Sequence, residues 1–245
     1  MNWNVYSGIT FGDKHSYRDW GLFLRERPHF SAPKVKEARI DLMGADGDID
    51  ATEAYGPVRF DNIIGTFIFT LMTNRRSWEA VYSKVKNAIH GKTMNVITDE
   101  CPDYYYTGRI TVGDMSYRVD RMNNSLCAYI PVTGEFYPYK FSVLKSTDDW
   151  LWDPFNFYDG IIKNYSDLTV SGETTYTIVN DEMPVVPTFI VTSQQGSLTL
   201  EFEGETYTLL NGTTKNANVI LKAGENELKF SGYGTVTVEF RGGRL

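Results

Sequence analysis

Carboxylates cluster at three points of this 245-residue chain, and each cluster suggests a different chemistry. Asp46, Asp48 and Asp50 alternate as the first three ligands of a calcium loop do, so that side chains from one strand edge converge on a hard cation. The pattern then breaks. The sixth place of such a loop needs glycine and the twelfth a bidentate Glu, and the chain has Ala51 and Pro57 there, so a solvated hairpin loop is the expectation. Glu201 and Glu203 are expected on one strand face about 6.6 Å apart, a spacing that suits the acid and base of an inverting glycosidase. Carboxylates of that chemistry normally flank the substrate from different segments, so here too a solvated face is expected. Asp148, Asp149 and Asp153 surround Trp150 and Trp152. Aromatic faces stack on sugars and carboxylates accept their hydroxyls, but large aromatics dominate packed interfaces as well, and interdomain packing is the simpler reading.

The remaining reactive residue types do not assemble. His15, His29 and His90 have no second His or Cys at metal-ligand spacing, and no nucleophile elbow of the Gly-x-Ser-x-Gly kind occurs. His90 is placed at a helix end, where a donor or cation meets the partly negative terminus. Cys101 lies in a turn-like stretch and Cys127 in an apolar strand pattern, so two free thiols are expected. Gly232-Tyr-Gly234 lacks the third glycine and the following helix of a dinucleotide fingerprint. Arg75 and Arg76 stand at a helix start, against the preference of the dipole, which points to an acidic neighbour or partner. No catalytic residue, metal or cofactor is called for.

A formal charge of -7, spread along the chain, argues against a phosphate-tracking surface and so against a specific nucleic-acid partner. Residues 1–10 lack a basic segment followed by an apolar run, and eighteen consecutive apolar residues occur nowhere. The expectation is therefore neither a secretory signal nor membrane insertion, with synthesis in the cytoplasm.

The elements that would have to position any site are nearly all strands. Trp20, Leu22 and Leu24 alternate, as do Ala38, Ile40 and Leu42, and Phe67, Phe69 and Leu71 restart the pattern. Between them, Gly44 to Asn62 is polar, acidic and glycine-bearing; it is predicted to be the tip or arm of a long hairpin, with too few apolar residues to pack on the sheet. Asn74 can cap a helix whose stripe is Trp78, Val81, Tyr82, Val85 and Ile89, and Gly91 ends it. Strands are predicted over 94–98, 104–112, 115–121, 126–132 and 136–144. A shift to Asp, Trp, Phe, Tyr and Pro between Lys145 and Asn164 marks a crossing, which divides the chain into domains 1–150 and 151–245. Beyond it Leu198, Leu200 and Phe202, Leu228 and Phe230, and Val236, Val238 and Phe240 alternate at the spacing of a β-sandwich.

The order of these features resembles the distal tail protein (Dit) family of siphophages, of the type that infects Gram-positive hosts. The pieces are Phe11-Gly-Asp with Trp20-Gly-Leu; Arg39-Ile-Asp-Leu-Met-Gly leading to Asp46-Gly-Asp-Ile-Asp; Phe67-Ile-Phe-Thr-Leu; Ile89-His-Gly-Lys; and Tyr104-Tyr-Tyr-Thr-Gly-Arg-Ile. Asp153-Pro-Phe, Val179-Asn with Pro187-Thr-Phe-Ile, and Leu221-Lys-Ala-Gly-Glu-Asn-Glu-Leu with Val236-Thr-Val-Glu-Phe-Arg complete them. Asp181, Glu182 and Met183 depart from the pattern, since a glycine commonly follows the Asn there.

The resemblance implies a mostly β protein: an N-terminal β-barrel or sheet domain with one helix and a long hairpin arm, and a C-terminal β-sandwich similar to galectins and carbohydrate-binding modules. It implies a homo-oligomeric ring, a hexamer, in which the arm grips the neighbouring subunit. Asp46, Gly47, Asp48, Ile49, Asp50, Tyr55, Gly56 and Pro57 are then the interface candidates. The further partners implied are the tail tube protein, a tail-tip protein of the tail-associated lysin type and a receptor-binding protein, at the tail tip of the virion. The alternative is a carbohydrate-binding module contacting host cell-wall glycans, with Trp150 and Trp152 as stacking residues.

Overall fold

The computed structural model describes residues 8–44, 46–54, 56–71, 75–120, 125–148, 164–180, 182–193 and 195–245. The chain divides into two compact units, one reaching to Lys140 and the other spanning Phe141–Arg244. Trp150, Trp152 and the rest of the predicted crossing from 149 to 163 lie outside the described residues, as do Tyr55, Asn74 and Asp181.

The first unit contains β1 (Ile9–Phe11), β2 (Lys14–His15), α1 (Ser16–Trp20), β3 (Leu22–Leu24), β4 (His29–Phe30), β5 (Arg39–Asp41), β6 (Asp48–Asp50), β7 (Ile63–Leu71), α2 (Trp78–Ile89), β8 (Thr93–Thr98), β9 (Cys101–Val112), β10 (Ser116–Asp120) and β11 (Ser125–Phe136). Its main sheet runs β2-β1-β8-β9-β11-β7-β3, with β10 on β11 and β4 on β7. Period-2 alternation makes β7 a half-buried strand: Ile63, Phe67, Phe69 and Leu71 face the core and are at most 3% exposed. The stripe predicted for α2 closes that core, with Trp78, Val85 and Ile89 buried and Val81 and Tyr82 packed against it.

Phe136 lies at the heart of this unit, fully buried among Phe30, Phe67 and Tyr106 with ring centroids 5.7, 6.2 and 5.9 Å away. Three glycines make the space. A Cβ on Gly134 would sit 2.3 Å from the ring, and one on Gly65 or Gly108 would sit 2.6 Å from it. Gly134 falls in the break predicted between the strands 126–132 and 136–144. Instead β11 runs unbroken through it, with Gly134 paired opposite Gly65 in β7.

Two further expectations are corrected here. Trp20 is not in a strand; it ends the single-turn α1, whose N-cap is His15, a residue outside the usual Ser, Thr, Asp and Asn set. Ala38, Ile40 and Leu42 do not belong to the main sheet either. Ile40 pairs with Ile49 in a two-stranded β5-β6 sheet, while Phe67 to Leu71 pair with β3 and β11. The arm is therefore longer than predicted.

The second unit comprises β13 (Leu168–Asn180), β14 (Thr188–Ser193), β15 (Ser197–Phe202), β16 (Glu205–Leu210), β17 (Gly212–Lys215) and β18 (Gly224–Glu239), while β12 (Lys140–Ser142) pairs with β19 (Gly243–Arg244). The six strands form one curled sheet in the order β16-β15-β18-β14-β17, with β13 on β18. On β18, residues 229–231 pair with β15 and residues 234–239 with β14, so one strand serves both halves of the curl. The change of neighbour falls at Gly232, whose φ of 130° is open to glycine and strained for other residues. Leu198, Leu200, Phe202, Leu228, Phe230, Val236 and Val238 fill the core as their alternation predicted.

Candidate functional site: an acidic arm and a basic helix face

The arm begins where Lys36 N–H donates to the Arg59 carbonyl and Asp61 N–H to the Lys34 carbonyl. It extends outward through Ala51 N–H to the Ala38 carbonyl and then the β5-β6 ladder. Among the described residues from 34 to 62 none is buried, and the ladder hydrogen-bonds to no other strand. Side-chain alternation gives the ribbon two unlike faces. Ile40 and Ile49 stand opposite each other on one face, 50% and 51% exposed. Arg39, Asp41, Asp48 and Asp50 share the other.

Local bonds hold this face in shape. Asp50 accepts from Thr52 N–H at 2.9 Å, and these bonds to Thr52, helped by Arg39, hold its carboxyl below the ordinary Asp range. Arg39 Nε donates to Glu37 at 2.8 Å, which raises the guanidinium's pKa. Asp41 and Asp48 face each other directly, an arrangement that costs stability in an isolated strand pair. Asp46 and Gly47 lie in the turn at the tip, and Gly56 and Pro57 in the exposed bend nearer the base.

On the same unit, α2 and the turn before it carry the opposite charge. Residues 75–92 hold five cations, Arg75, Arg76, Lys84, Lys86 and Lys92, against Glu79 alone. Lys92 donates to the carbonyls of Asn87 and Ala88 and so supplies the cation that the helix C-terminus favours. His90 does something else: its Nδ1 accepts from Val112 N–H at 3.0 Å and ties the helix end to β9, which corrects the donor role expected of it. At the other end Tyr117 stacks on Trp78 and donates to Glu79 at 3.2 Å; partial desolvation and then the Glu79 carboxylate raise its pKa.

The residue types that could do chemistry are placed apart or occupied. His15 and Asp99 come together, with Nε2 3.1 Å from Oδ2, although 84 positions separate them. The His15 Nδ1 accepts from the amides of Tyr17 and Arg18, so the ring proton is on Nε2 and is donated to Asp99. Neither nitrogen is left to take a proton from Ser16, whose Oγ accepts from Ile9 N–H, and the group works as a helix cap and tether. No signal at this sequence distance could have identified the pair. Glu203 does not share a strand face with Glu201: β15 ends at Phe202, and Glu203 occupies the turn with φ 52°. The two are neutralised separately, Glu201 by Lys229 at 3.4 Å and Glu203 by Lys222 at 2.6 Å. Asp148 accepts from Lys145 N–H within its own turn. Cys101 and Cys127 are free thiols. Among the described residues no group of three or more His, Cys, Asp or Glu could hold a metal, and no helix is long and apolar enough to cross a membrane.

No family model matches the chain, and no curated protein does. Among solved structures, the chain is similar to the Dit protein of SPP1, described as a paradigm of the hub adsorption apparatus in phages that infect Gram-positive bacteria. The TM-score is 0.62 at 10% identity, and the alignment covers 98% of this chain and 99% of that one. At such low identity the likeness is one of fold. It bears out the mostly β, Dit-like architecture expected from the order of sequence pieces, across both units rather than one.

Proposed function

We propose that the chain is a structural, non-catalytic hub of a siphophage tail tip, which closes into a homo-oligomeric ring and joins the tail tube to tip and host-adsorption proteins. The observation that carries this reading is the whole-chain similarity to a hub protein, because a shared single domain would leave the role open. The arm adds a physical reason. A two-stranded ribbon is marginal in water, and one that buries nothing on its own unit gains order by covering its apolar face and open edges with another chain.

A head-to-tail contact of that kind, repeated around an axis, closes a ring. Six copies are the number proposed, with the tail tube protein, a tail-associated lysin-type protein and a receptor-binding protein as its neighbours in the virion after synthesis in the host cytoplasm. Asp46, Gly47, Asp48, Ile49, Asp50, Tyr55, Gly56 and Pro57 contribute to the contact between copies. A net negative chain also suits a channel through which DNA slides, since it does not hold phosphates. Glycan recognition is not part of this proposal: Tyr207 packs against the core of the second unit and Tyr233 is a single half-exposed ring.

Sedimentation of the full chain over a wide concentration range, with negative-stain images of the heaviest species, tests the reading. Annular particles are expected. A chain that stays monomeric at every concentration, alone and with tail tube protein, overturns it.

A further inference from the structure

The segregation of charge within the first unit goes beyond what the ring requires. Residues 37–53 of the arm carry six acids against Arg39 alone, whereas residues 75–92 carry five cations against Glu79 alone, in a chain whose other charges are mixed. Each region is electrostatically uncomfortable as it stands. Asp41 and Asp48 repel across the ribbon, and Arg75 occupies the turn that feeds the positive end of the α2 dipole. One contact relieves both. The outward side of α2 also presents Ala80, Ser83 and Asn87, all exposed and short, which leaves room for a ribbon to lie across the helix with the longer Arg75 and Lys84 reaching its carboxylates.

We infer that the acidic face of the arm, Asp41 and Asp48 above all, docks across the basic face of α2 on a second copy of this chain, and that this charge match fixes which copy the arm grips. The inference rests on the ring reading and specifies the receiving surface within it. Complementary potentials across an interface set orientation and exclude wrong partners, because like charges brought together cost more than a neutral mismatch. The arm cannot then grip another arm, and α2 cannot pack on another α2.

Charge reversal in the full chain tests this. Asp41→Lys with Asp48→Lys, and separately Arg75→Glu with Lys84→Glu, are each expected to raise the half-assembly concentration about tenfold or more, as the loss of close charge pairs does. All four changes together are expected to return it to within about threefold of the unmodified chain, since coupled sites fail to add. Should a reversed protein melt early, Asp48→Asn and Lys84→Gln provide the neutral cycle, and coupling between them is expected. Assembly that is indifferent to the helix changes, or a fourfold variant no better than its worse parent, overturns the inference while rings persist. A chain that never assembles overturns both the inference and the ring reading.

Discussion

Phe136 and Ile40 are apolar residues in strands of the same unit, yet one is completely enclosed and the other half in water. Around Phe136 the chain supplies everything needed locally: aromatic walls from β4, β7 and β9, and three glycines to admit the ring. Around Ile40 it supplies one opposing Ile49 and nothing beneath. The difference teaches that apolar residues in this protein serve two purposes. Those of the sheet stabilise the subunit, and those of the arm stay about half exposed and are the ones that the proposed ring would cover with a neighbouring copy.

The sharpest way to break that contrast is at the enclosed end. Phe136→Ala is expected to cost about 3–5 kcal/mol in urea unfolding followed by tryptophan fluorescence, and Gly134→Val should be comparably severe because it forces a side chain into the ring's space. A loss under about 1 kcal/mol would mean that the aromatic cluster is no keystone. Next comes His15→Ala, which removes the α1 cap and leaves Asp99 with the Gly8 N–H in place of two partners; about 1–2 kcal/mol is expected from the same measurement.

At the open end, Ile40→Ser with Ile49→Ser is expected to change subunit stability by less than about 0.5 kcal/mol while weakening assembly. Equal effects on both would erase the distinction drawn above. The smallest effect concerns acid. Because the folded arm holds the Asp50 carboxyl below its ordinary range, the unfolded arm binds the proton more readily, so local order is complete above the ordinary Asp pKa and fades as pH falls through the depressed value. Amide exchange at Thr52 should quicken over that window, and unchanged exchange would count against the bond from Thr52 to Asp50.

What the sequence disclosed, and what it hid, follows from range. The stripe of α2 and the alternations of β7, β15 and β18 are local periodicities, and the structure keeps them. Gly44 to Asn62 was legible as an arm by what it lacked. Ala38, Ile40 and Leu42 were misplaced because alternation shows that a face is apolar and not what covers it. Gly134 misled because its role depends on a ring two residues on and a second glycine in β7, neither of which propensity sees. The His15–Asp99 pair is invisible for the same reason, a contact made only after the sheet has formed.

One feature of the second unit bears on how such a chain is made. β18 is flanked by β13 along all of residues 224–236 and by β15 and then β14 on its other edge, yet it is the last long strand to be translated. Until it has left the ribosome its three companions have no shared template, and the unit must wait, open, for its own centre. A nascent polypeptide released before residue 224 would thus leave β13 and the facing edges of β14 and β15 unpaired, open strands of the kind that invite misassociation and proteolysis.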